Sequence, residues 1–117
     1  MQTTKLKRVM IAAGAAVALV AFAGAASAQD AKVEKGMKVY ADQKCSLCHS
    51  IDGKGNAKGS LDGVGTKYKA DEIHAWIVDA KGQAVKAKAT RKPPMKNYAL
   101  PKADLDALVA YLASLKK

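Results

Sequence analysis

Large aromatic side chains, cysteines and long apolar runs are all scarce in this chain. Its 117 residues include one phenylalanine, one tryptophan and two cysteines. Two cysteines are too few for the framework of a disulfide-rich secreted scaffold. No run of 18 large apolar residues marks a multi-span membrane protein. The length excludes a doubly wound enzyme or an eight-stranded barrel and allows one domain. Acidic residues are also in the minority, 10 against 20 basic ones, for a formal charge of +10.

The first 28 residues have the composition of a secretory signal. Lys5, Lys7 and Arg8 form a basic start, Val9 to Ala23 an apolar stretch, and Ala26-Ser27-Ala28 a small-residue cleavage site. An uncleaved membrane anchor is the alternative. It is disfavoured because the stretch is mostly Ala and Gly and a cleavage site follows. No cysteine near residue 28 offers a lipid attachment point. The expected mature domain, 29–117, has 89 residues and a net charge of +7, and loses Phe22, the sole phenylalanine. Its 23 large apolar side chains make a thin core. Such a chain calls for a disulfide, a metal, an oligomer or a large cofactor to complete it.

Helical periodicity recurs three times. Residues 31–44 place Val33, Gly36, Met37 and Tyr40 on one face, with Asp30 as a candidate N-cap. A glycine on that face permits close approach of another helix, or is merely tolerated there. Residues 71–81 put Ile73, Trp76, Ile77 and Ala80 in register after an acidic first turn. Residues 102–116 follow Pro101 and bury Leu105, Leu108, Leu112 and Leu115. Between these helices, 50–69 holds five of the seven glycines in 29–117, and 82–100 contains Pro93-Pro94 without periodicity. Both are expected to be loops, and no strand alternation is visible. A loop as long as the second is usually functional or disordered.

The chemistry concentrates at residues 45–49, Cys-Ser-Leu-Cys-His. This is the C-x-x-C-H haem attachment pattern. Two cysteines three apart lie on one side of a helical turn, where both sulfurs can reach the vinyl groups of one porphyrin edge. His49 follows and can present a ring nitrogen to the iron. Three other chemistries use similar residues. Structural zinc needs a fourth ligand, and only the distant His74 is available. A thioredoxin-like site needs a βαβ context that is missing. A plain Cys45–Cys48 disulfide remains possible in an oxidising compartment.

For the second axial position of the iron, the candidates are His74, Met37, Met95 or nothing. His74 reads as a surface histidine and Met37 as a core residue of the first helix. Met95 follows Pro93-Pro94, which stiffen its approach, and is the expected sixth ligand; the alternative is a loop methionine packed on the porphyrin. Trp76 reads equally as a core residue or as one packed on the haem, with its N–H towards a propionate. Asn97 is a candidate donor to the Met95 sulfur or nearby backbone.

With these motifs assembled, the sequence resembles the small bacterial class I cytochromes c. The resemblance rests on Gly36-x-x-x-Tyr40, Cys45-x-x-Cys48-His49, Gly59-Ser60-Leu61-Asp62-Gly63-Val64-Gly65, Trp76-Ile77-Val78-Asp79, Pro93-Pro94-Met95 and Leu108-Val109-Ala110-Tyr111-Leu112. It covers essentially all of 29–117. It implies an all-α, class I cytochrome c fold, three main helices packed around one covalently attached haem. It also implies that the first and last helices cross, Gly36 and Tyr40 meeting Leu108, Tyr111 and Leu112. Family members usually have proline where Ser60 stands, with a carbonyl there accepting from the proximal imidazole; Ser60 offers the same backbone group.

The combined expectation is a periplasmic, monomeric, monohaem electron carrier and not an enzyme. Cys45 and Cys48 would attach haem c, and His49 and Met95 would ligate the iron. A haem enzyme or gas-binding protein with an open sixth site, or a dedicated subunit of an oxidoreductase complex, are the other readings. Lys81, Lys86, Lys88, Arg91, Lys92 and Lys96 face no acidic residue between Asp79 and Asp104. They read either as a docking patch for an acidic redox partner or as a solvated lysine-rich loop. No stable membrane insertion is expected once the signal is removed. Nucleic acid is not an expected partner, because 29–117 has a single arginine and few aromatics. Gly53 to Ser60 lacks the strand and the Gly-Lys-[Ser/Thr] of a phosphate loop.

Overall fold

Helices α1 (Ala15–Asp42) and α5 (Lys102–Ala113) cross and form the frame of the domain. The computed structural model describes the backbone from residue 15 and side chains from residue 27 to residue 117. Lys5, Lys7, Arg8 and the first part of the expected apolar stretch lie outside the described residues. Helix α1 runs without a break across the expected cleavage point after Ala28. Asp30 is therefore inside a helix and caps nothing.

The crossing works because Gly36 has no side chain. A Cβ there would fall on the Ala107 carbonyl oxygen and within 2.6 Å of the Tyr111 Cβ. One turn along, the Tyr40 and Tyr111 rings meet edge-on, 5.9 Å apart at 76°, the geometry that sets a positive ring edge against a negative face. Lys35 and Asp104 form an ion pair of 3.3 Å between the two helices; being largely exposed, it contributes about 1 kcal/mol at most. The buried cluster consists of Val39, Ile73, Ile77, Leu105, Leu108 and Leu112. Met37 is not part of it and is 51% exposed. The buried stripe of α1 runs through Gly36 and Val39, so Met37 faces solvent.

The expected helix 71–81 is two helices, α3 (Ala70–Val78) and α4 (Ala80–Lys86). The Glu72 carboxylate accepts from the Lys69 N–H at 3.2 Å and starts α3. Asp79, at φ −137° and ψ 52°, breaks the chain, and its carboxylate accepts from the Gly82 N–H at 3.2 Å to start α4. Ala80 is fully buried at that corner. The second expected loop therefore begins only after Lys86.

The glycine-rich segment also holds some regular structure. Strands β1 (Ser50–Ile51) and β2 (Lys54–Gly55) form a minimal antiparallel hairpin, pairing Ser50 with Gly55 and Ile51 with Lys54. Two residues per strand are too few to show alternation in sequence. The single turn α2 (Val64–Lys67) follows, and the Gly65 N–H donates to the Leu115 carbonyl at 2.9 Å. Among the described residues, no helix is long and apolar enough to cross a membrane.

Candidate cofactor cleft

Helix α1 ends at Asp42, three residues before Cys45, and Lys44, at φ 57°, turns the chain sharply. Residues Cys45–Leu47 then form one 3₁₀ turn. The Cys45 carbonyl accepts from the N–H groups of both Cys48 (3.1 Å) and His49 (2.9 Å). Cys45, Cys48 and His49 thus belong to one tight turn. Cys45 is half-buried and Cys48 exposed, with both thiols free. Burial pushes the Cys45 thiol above its ordinary pKa.

His49 is half-buried, and its Nδ1 lies 2.9 Å from the Gly59 carbonyl oxygen. That acceptor requires the proton on Nδ1, which leaves the Nε2 lone pair for a metal. Burial lowers the His49 pKa, against the opposing effect of the Gly59 bond, and Arg91 lowers it further. The neutral, metal-ready ring is favoured. The carbonyl is that of Gly59, not of Ser60 as the family comparison led one to expect. A Cβ at Gly59 would fall on the Cys48 carbonyl oxygen and the Arg91 guanidinium. Glycine is needed there for the two loops to meet. Asn56 ties the turn from below, its N–H donating to the carbonyls of His49 (2.9 Å) and Ser46 (3.1 Å).

Cys45, His49 and Met95 all line one cleft of about 110 Å³. Its walls are apolar and include Trp76, Tyr98 and Leu108. Trp76 is half-buried and belongs to the cleft rather than the core. His74 is exposed and lines a separate groove with Gln29 and Asp106. Of the candidates for a second iron ligand, only Met95 shares the cleft with His49. Asn97 does not donate to the Met95 region; its Oδ1 accepts from the Lys81 N–H at 2.9 Å.

A haem fits these residues. The attachment turn is formed, the histidine tautomer suits an iron, and the cleft is apolar. Tyr40, also on its wall, has the one buried side-chain polar atom without a hydrogen-bond partner among the described residues. The family model for cytochrome c matches residues 33–116. The chain belongs to the cytochrome c family. No curated protein and no solved structure matches it. Cytochromes c carry covalently attached haem c and act as electron carriers rather than enzymes. The expected all-α, class I architecture holds for this cytochrome c. Sequence reasoning missed three of its features: Val39 in the core, the Gly59 carbonyl and the Asn97–Lys81 bond. The last two use backbone groups, which leave no residue-type signal.

Proposed function

We propose that this cytochrome c is a soluble, monomeric, periplasmic carrier of single electrons, in which Cys45 and Cys48 form the thioether links and His49 and Met95 ligate the iron. One observation carries the reading: His49 and Met95 line the same apolar cleft, while His74 is exposed outside it. The haem iron supplies a reversible one-electron couple. The Gly59 carbonyl holds the His49 ring in one tautomer and orientation. The thioether of Met95 favours a higher potential than harder ligands do. Apolar walls keep water from the centre, which limits rearrangement between oxidation states.

Export is supported by the signal-like composition of residues 1–28. Lys81, Lys86, Lys88, Arg91, Lys92 and Lys96 are all exposed, and none belongs to an ion pair among the described residues. That favours an acidic docking surface on the redox partner, with steering that salt weakens.

Oxidised and reduced spectra of the wild type and Met95→Ala test the ligand set. The wild type should be low-spin in both states, and the ferrous form should bind carbon monoxide slowly. Met95→Ala should become high-spin and bind it fast. Rapid binding by the wild type would favour a gas-binding or enzymatic site instead. The rate of electron transfer to an acidic partner should fall as salt is added; a salt-independent rate removes the docking surface.

A further inference from the structure

Residues 87–101 connect α4 to α5 and carry Met95 without any helix or strand. Between Thr90 and Leu100, two hydrogen bonds are made among the described residues. The Tyr98 N–H donates to the Ile77 carbonyl at 2.9 Å. The Asn97 Oδ1 accepts from the Lys81 N–H, also at 2.9 Å. Both lie just after Met95, and both end at the α3–α4 junction. The segment before Met95 instead leans on the histidine side, where the Arg91 guanidinium packs against Gly59.

The Lys81 N–H belongs to the first turn of α4 and has no acceptor inside its own helix. Asp79 satisfies the neighbouring Gly82 N–H. Asn97 completes the cap from a distant part of the chain. A cap of this kind stabilises α4, and through the same bond it restrains the backbone two residues from Met95. The Tyr98 bond is backbone to backbone, so any side chain at that position preserves it. Asn97 is the one side-chain hydrogen-bond tether of this segment among the described residues.

We infer that Asn97 is a positioning residue for Met95: by accepting the Lys81 N–H, its side chain sets the fraction of time the methionine spends in the cleft. The inference rests on the proposed Met95 ligation. An added ligand reaches the iron only when Met95 is away, so its apparent affinity scales with the open fraction. Losing one good hydrogen bond should raise that fraction about five- to tenfold.

The test is imidazole binding to the ferric, haem-loaded full chain. Asn97→Leu should bind imidazole about five- to tenfold more tightly than the wild type. Asn97→Ala serves as the milder deletion if the leucine variant fails to load haem. Asn97→Asp keeps an acceptor for the same N–H and should stay within about twofold of the wild type. Leu115→Ala lowers stability away from the segment and should leave imidazole affinity unchanged. The inference is overturned if the deletions bind imidazole like the wild type, or if Leu115→Ala shifts the affinity as much as they do. If Met95→Ala changes neither the spectra nor the imidazole affinity, the ligand assignment itself is wrong and the inference goes with it.

Discussion

On the histidine side of the cleft, residues 45–61 bond largely to one another: His49 to Cys45 and Gly59, Asn56 to His49 and Ser46, Leu61 to Ser50. On the methionine side, residues 90–100 make two bonds among the described residues, and both leave the segment for the α3–α4 junction. One side is a self-bonded knot and the other a tethered strand. In the first, losing one bond leaves the rest in place. In the second, either loss frees much of the segment. Local opening follows the weaker network, so with the proposed His49 and Met95 ligation, exchange should begin on the methionine side.

The comparison can be broken by changing one Cβ on each side. Gly59→Val should destabilise the protein by about 3 kcal/mol, since the Cys48 carbonyl cannot retreat as a flexible side chain could. That corresponds to a fall in Tm of roughly 12–24 °C for a domain of this size. The exposed Ala99→Val should shift stability by no more than about 0.5 kcal/mol. Equal losses in the two thermal melts would erase the distinction.

Tyr40 tests the cleft by pH. Its pKa is pushed up to about 12, chiefly by burial. The folded pKa lies above the unfolded one, so the contribution of the neutral phenol is complete below about pH 10. It is lost as pH rises from there through about 12. Tyrosine absorbance should show one residue ionising last, and denaturant melts should weaken across that window. Tyr40→Phe should flatten the loss; an unchanged profile would mean the hydroxyl is not sheltered.

A small stabilising effect sharpens the histidine side further. Ser60 sits at φ −57°, a value the proline ring imposes. Ser60→Pro should raise stability by about 0.4–1 kcal/mol by restricting the unfolded chain. A lower Tm would show that the geometry of Gly59 does not tolerate a following ring.

Particular residues show why some of this was legible in sequence. Cys45, Cys48, His49 and Met95 stand out as residue types whose chemistry is narrow. That Cys45, His49 and Met95 share one cleft is a property of the fold, reached through segments with no periodicity. Leu105, Leu108 and Leu112 repeat at helical spacing and are buried as expected. Met37 misled because the stripe of α1 is centred on a glycine: the closest contact is backbone to backbone, and Val39 takes the place the pattern assigned to the methionine. Helix α4 has no apolar stripe. It depends on the Asp79 carboxylate and the Asn97 amide oxygen, one of them distant in sequence.

The Gly36 crossing has a consequence for how the chain comes to be folded at all. Its two partners, Gly36 and Ala107, belong to α1 and α5, the first and last helices described. The core between them cannot close until α5 has been synthesised. Contacts this distant in sequence also raise the loop-closure penalty. The crossing ties closure of the core to the last helix that contributes to the cleft, since Leu108 and Leu112 of α5 line it.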